Sequence, residues 1–128
     1  MRLFRSMQAA EDGYPILGAG TRTLGSRPGI DIPVEDGHVK PEAGGMSVSP
    51  NYPMNLPQHR RPPPFGGTGR DPVFVIDDGD LGPALRHRPD PDGPSVHGFV
   101  EPRATMSFED YQAAIWGTRE SWTKVDRR

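Results

Sequence analysis

Two hydroxyls, a histidine, a carboxylate and an arginine sit in patterns that could do chemistry. In Gly44-Gly45-Met46-Ser47-Val48-Ser49, two glycines lead straight into alternating polar and apolar residues. A strand turns successive side chains to opposite faces, so Ser47 and Ser49 share one face and Met46 and Val48 the other. Gly45 has no Cβ and lets a ligand or a second backbone come close. The pair of hydroxyls beside it would make a pocket wall. Taken alone, the hexapeptide is more simply a turn entering a half-buried strand. In Val96-His97-Gly98-Phe99-Val100-Glu101, the same period places His97, Phe99 and Glu101 on one face. A histidine and a carboxylate there could move a proton or hold a ribose hydroxyl. The plainer alternative is a solvated strand face. Arg5, within Leu3-Phe4-Arg5-Ser6-Met7, is either a cation for a pyrophosphate, whose oxygens suit a guanidinium fork, or a surface charge on an edge strand.

Other chemistries fall away. Gly66-Gly67-Thr68-Gly69 lacks the Lys-Ser/Thr ending of a phosphate loop, and Gly18-Ala19-Gly20 lacks the third glycine of a dinucleotide turn. There is no G-x-S-x-G elbow for a serine nucleophile. His38, His59, His87 and His97 show no metal-ligand spacing, so no metal is expected.

The elements that must position these residues follow from periodicity and turn signals. Leu3 to Met7 reads as a first strand and Ala9 to Gly13 as a turn, followed by a Gly- and Pro-rich loop over 14–29. Gly29 to Val34 alternates and predicts a second strand, with Pro33 at its edge or end. Glu35-Asp36-Gly37-His38 is a tight turn. Residues 50–72 are coil, with Arg60-Arg61-Pro62-Pro63-Pro64 favouring polyproline II. Val73-Phe74-Val75-Ile76 predicts a central strand buried on both faces, Leu81 to Leu85 a helical turn, and Arg86 to Ser95 coil. A closing helix starts at an N-cap Ser107, with Glu109 and Asp110 in its first turn. Phe108, Tyr111, Ile115 and Trp122 form its apolar stripe, and Lys124, Arg127 and Arg128 supply positive charge near its end.

A chain of 128 residues fits a single domain, 1–128. The 16 glycines and 16 prolines make it loop-rich, while its apolar runs and near-balanced charge argue for a folded core. A net charge of -2 carries no nucleic-acid footprint. With no cysteine, thiol catalysis and disulfides are excluded. Met1 to Ser6 lacks the apolar region of a signal peptide, and no run is long enough to span a membrane. The expectation is therefore a cytoplasmic protein, or one delivered without a general secretory signal.

Together, Leu3-Phe4-Arg5, Gly29-Ile30-Asp31-Ile32-Pro33, Gly44-Gly45-Met46-Ser47-Val48, His97 with Pro102 and Met106 behind it, and a closing helix resemble a group of small bacterial toxins. These are the ADP-ribosyltransferase-like effector toxins of type VI secretion, the "Tse-two" family. The resemblance spans about residues 3 to 122 and rests on the order of the elements, with no single motif carrying it. It implies an α/β (α+β) fold of two small, packed, mostly antiparallel sheets with a cleft between them that binds NAD as cosubstrate. It further implies that Arg5 holds a phosphate, that Gly45, Met46, Ser47 and Ser49 line the pocket, and that His97 faces them. Positions matching Ser47 and His97 are implicated in toxicity in that family. Met46 stands where the family has Thr, and the position of Glu101 is not reliably acidic there. Ser47, His97 and Glu101 are the expected catalytic residues. An immunity or antitoxin protein and the secretion machinery are the implied partners. Two other readings stay open: a non-catalytic interaction domain that binds through residues 57–65, and a glycohydrolase that only consumes NAD.

Overall fold

The computed structural model describes residues 1–126. The fold is α+β, built on antiparallel strands with one C-terminal helix. The strands are β1 (Arg2–Ser6), β2 (His38–Val39), β3 (Met46–Pro50), β4 (Val73–Asp77), β5 (Leu85–Pro89), β6 (Gly98–Pro102), β7 (Met106–Ser107) and β8 (Thr123–Val125). Six of them form one sheet in the order β5-β6-β3-β1-β4-β8, and β2 pairs with β7 in a small separate ribbon. The expected two small, mostly antiparallel sheets are thus present as a six-stranded sheet and a two-stranded ribbon.

That large sheet forks at β3. Its first residues, Met46, Ser47 and Val48, pair with Val100, Phe99 and Gly98 of β6. Its last two, Ser49 and Pro50, pair instead with Phe4 and Leu3 of β1. Beyond Phe4 and Ser49, β1 and β3 part, and β1 continues alone beside β4. A wedge therefore opens where Arg5 and Ser6 face Ser47.

One face of the sheet carries Leu3, Met46, Val48, Phe74, Ile76, Leu85 and Val100 in the main core. Helix α1 (Phe108–Trp116) covers it with Tyr111 and Ile115. The opposite face has a smaller cluster of Phe4, Leu56, Phe65 and Val73. Leu56 and Phe65 come from the long connection between β3 and β4, which is held down by them and does not project freely. Its Gln58–Arg60 and Pro63–Phe65 are 3₁₀ turns, so the extended conformation expected over Arg60–Pro64 is confined to Arg61 and Pro62.

Four further expectations are corrected. Gly29–Val34 forms no strand: residues 29–31 are a turn, because the Asp31 carboxylate takes the Arg27 N–H at 2.7 Å and its guanidinium as well, folding the chain locally. Arg86 lies in strand β5, whose outer face is charged and so hides its alternation. The expected turn over Leu81–Leu85 is displaced to Asp78–Asp80, where the Asp77 carboxylate accepts the Gly79 N–H. The closing helix ends at Trp116. Ser107 does cap it, accepting the Asp110 N–H at 3.1 Å. After Gly117, however, Thr118 Oγ1 bonds the Ile115 carbonyl at 2.6 Å and takes the Trp122 indole N–H at 3.0 Å, turning the chain back. Trp122 is buried just before β8, and Lys124 lies on that strand. The charges expected from Arg127 and Arg128 lie outside the described residues.

Candidate functional site

Glycine is required at the entrance to β3. Gly44 and Gly45 have φ of 136° and 150°, and a Cβ on them would lie 2.4 Å from the carbonyl oxygens of Asp31 and Val100 respectively. Gly45 also donates to Asp31 O at 2.8 Å. The next N–H, of Met46, donates to the Tyr111 hydroxyl at 3.1 Å, and that hydroxyl donates to Val100 O at 2.6 Å. Burial raises the Tyr111 hydroxyl to a pKa of about 12, so it remains a donor. Gly45 is therefore a site of backbone approach and Met46 a core residue 1% exposed. Neither lines the pocket, which corrects that expectation.

Ser47 and Ser49 share the other face, as the period requires, and open into the fork. A cavity of about 160 Å³ there is lined by Arg5, Ser6, Ser47, Ser49, Arg60 and His97, with Leu56 and Pro57 as its apolar side. An adjoining cavity of about 290 Å³ shares Arg5, Ser47 and Arg60 and extends to Thr21, Arg27, Asp31 and His59. Four of the expected site residues, from three distant segments, thus meet in one place. Neither serine hydroxyl has a hydrogen-bond partner among the described residues.

Arg5 forms the floor. By register it belongs to the core face with Leu3 and Phe74, and it reaches the pocket only because the strands part. Its Nη1 donates to Ser47 O at 2.9 Å, Nε to Thr23 O at 3.1 Å, and Nη2 to Thr23 O and Gly20 O at 2.9 and 3.2 Å. No carboxylate pairs with it among the described residues. Burial, followed by the nearby positive charge of Arg60, lowers its pKa to about 10, which still leaves it charged at neutral pH. Arg5 is thus both a tie between β1, β3 and the loop over 20–25 and the source of positive potential under the pocket.

His97 lies one residue before β6 and about one-third exposed. Its Nδ1 is 2.7 Å from Asp90 Oδ2. That hydrogen bond to His97 holds the Asp90 carboxyl below its usual range. With the proton assigned to Nδ1, the carboxylate orients the ring and leaves Nε2 as an acceptor. Phe99 meets the ring edge-on at 4.9 Å.

Glu101 is not in this pocket. It is fully buried, and its oxygens accept from Arg88 Nε at 2.6 Å, Arg86 Nε at 2.7 Å and the Glu42 N–H at 3.1 Å. A carboxylate held by three donors and shielded from solvent is a structural anchor, so its expected catalytic place is corrected. Arg60 and Asp90 were missed from sequence. Arg60 lies in the stretch expected as polyproline II and Asp90 in the coil expected over Arg86 to Ser95, and neither stretch has a period to mark a site residue. Among the described residues, no group of three or more His, Asp or Glu side chains converges on a metal-holding arrangement. No described helix is long and apolar enough to cross a membrane. A comparison with known proteins finds no matching family model and no similar curated protein or solved structure.

Proposed function

We propose that this chain is an ADP-ribosyltransferase-like toxin that binds NAD in the forked pocket and transfers ADP-ribose to an acceptor. The observation that carries this reading is the convergence of Arg5, Ser47, Ser49 and His97 on one cleft. The residues suit a dinucleotide. A buried cation without a carboxylate favours phosphate, and two unpartnered hydroxyls can bond ribose or carboxamide. Each cavity alone lies below the ~300–1,000 Å³ usual for ligand clefts, so a dinucleotide would run through both.

NAD supplies a glycosidic bond whose cleavage releases nicotinamide and places positive charge on the ribose. Arg5 favours the phosphates mainly through its charge, since most of its N–H groups are committed to carbonyls. Ser47 and Ser49 fix the orientation of the sugar. His97, aligned by Asp90, takes the proton from the acceptor as the acceptor bonds to the ribose carbon. Asp90 replaces Glu101 as the carboxylate beside that chemistry. Cytoplasmic action in a target cell, delivery by type VI secretion and neutralisation by an immunity protein belong to the same proposal.

The test is growth of bacteria expressing the wild type beside Ser47→Ala and His97→Ala. Arrest by the wild type and relief in both variants is expected; full toxicity of both would remove the site assignment. The His97–Asp90 pair also favours a second reading, in which water is the acceptor. Release of nicotinamide and free ADP-ribose without labelled protein would identify that hydrolase. Harmless expression with a stable protein partner would instead identify an interaction domain.

A further inference from the structure

Arg5, Arg22, Arg27, Arg60 and Arg70 surround the forked pocket and its neighbours, and they include two kinds. Arg22 forms a two-point pair with Asp71 at 2.7 and 2.8 Å. Arg27 is paired with Asp31, its Nη2 2.8 Å from Oδ1. Arg5 and Arg60 have no carboxylate partner among the described residues. Both instead point an Nη2 at the carbonyl oxygen of Thr21, Arg5 at 3.4 Å and Arg60 in a closer bond. Arg60 Nη2 also donates to Ser6 O at 2.8 Å. Two like charges thus meet across a single neutral acceptor.

The pair is unequal in what it has left to give. Arg5 is 6% exposed, and its fork is almost spent on carbonyls. Arg60 uses one nitrogen, and its Nε and Nη1 have no acceptor among the described residues. Arg60 is half-buried and lines both cavities, so it stands where they join. Burial lowers its pKa, and Asp71, itself held by Arg22, offsets this only in part. A guanidinium with a free edge, beside a second cation and away from any free anion, matches the oxygens of a phosphate.

We propose that Arg60, carried by the proline-rich connection, is a ligand-binding residue of the cleft and grips the diphosphate of a nucleotide. This rests on the nucleotide-cleft reading above and assigns a small-ligand role to a loop that the alternative reading gives to protein docking. The diphosphate bridges Arg60 and Arg5 and takes over part of the work of the Thr21 carbonyl. Leu56 and Phe65, buried on the sheet on either side of Arg60, fix the loop so that the guanidinium is held over the cleft before the ligand arrives.

The test is calorimetric titration of the full chain with inorganic pyrophosphate and, separately, with NAD. The variants are Arg60→Gln, Arg60→Lys and the exposed Lys124→Gln on β8 as a control for lost charge. Wild type should bind pyrophosphate, and Arg60→Gln should weaken it by about tenfold or more and flatten its salt dependence. Lys124→Gln should not change it. Equal loss in Lys124→Gln would mean general charge attraction and overturn the proposal, as would unchanged affinity in a folded Arg60→Gln. Should Arg60→Gln fail to fold, Arg60→Lys decides: a loss of about fivefold supports the fork, and none overturns it. Absence of pyrophosphate binding by the wild type overturns it outright. If NAD binds and Arg60 does not matter, the NAD reading survives without this residue. If pyrophosphate binds through Arg60 and NAD does not bind, this residue's role stands and the NAD reading fails.

Discussion

The sheet buries charge in two places, by opposite means. At the β5–β6 end, Arg86 and Arg88 close on the fully buried Glu101, and every carboxylate lone pair that matters is taken by a guanidinium or by the Glu42 N–H. At the β1–β3 fork, Arg5 and Arg60 have only backbone carbonyls for company. The first arrangement gives each guanidinium a carboxylate oxygen as its counter-charge. The second solvates its cations without neutralising them, so it remains attractive to an anion. A buried charge therefore says little about function until its counter-charge has been found. Here the carboxylate that looked catalytic from spacing is the closed one.

This contrast can be broken experimentally. The largest effect is expected from Glu101→Gln, which leaves Arg86 and Arg88 facing a neutral group. It should cost about 3 kcal/mol in urea unfolding, as for a buried ion pair deprived of one member. The same variant should leave ligand binding at the fork intact if it remains folded. Strong loss of binding with little loss of stability would return Glu101 to the site. Next comes Arg5→Met, which removes the carbonyl-bound guanidinium and should cost about 2 kcal/mol by the same measurement. A cost above that of Glu101→Gln would show the fork to be the stronger structural tie of the two.

The smallest effect sharpens the comparison with a third solution. His87 turns from β5 towards the core face, half-buried, with its Nε2 unpartnered and close to Gly98. Burial lowers its pKa, so it stays neutral where the arginines cannot. The unfolded chain then binds the proton more tightly than the folded one. Stability contributed by neutral His87 is present above the ordinary histidine value of ~6.5 and declines as pH falls below it. His87→Leu should flatten the unfolding midpoint between about pH 5 and pH 7. An unchanged slope would place the titration elsewhere.

Much of the sheet could be read from periodicity. β1, β3, β4 and β6 each follow an alternation or an apolar run, and the placement of Ser47 and Ser49 opposite Met46 and Val48 follows from it directly. β5 could not be read this way, because Arg86 and Arg88 make sense as strand residues only once Glu101 lies across from them. The apolar spacing overextends the helix because Trp122 continues the series of Phe108, Tyr111 and Ile115, although Gly117 and Thr118 turn the chain before it. At the site, Arg5 and His97 were visible as polar residues in strand patterns. Arg60 and Asp90 were not, since loops bring them in and a loop's destination is a tertiary fact.

The divided loyalty of β3 has a consequence for how this protein can vary. Within five residues the strand serves two neighbours, changes partner at Ser49, and puts hydroxyls on one side and core residues on the other. Substitution at any one position alters one surface. A single inserted or deleted residue would exchange the two surfaces wholesale, sending Met46 and Val48 into the cleft and the serines into the core. Length is therefore more tightly constrained than composition in this segment. The connection that follows it is tied to the sheet by Leu56, Phe65 and the Arg60 bond to Ser6, so the spacing between those anchors carries the same constraint.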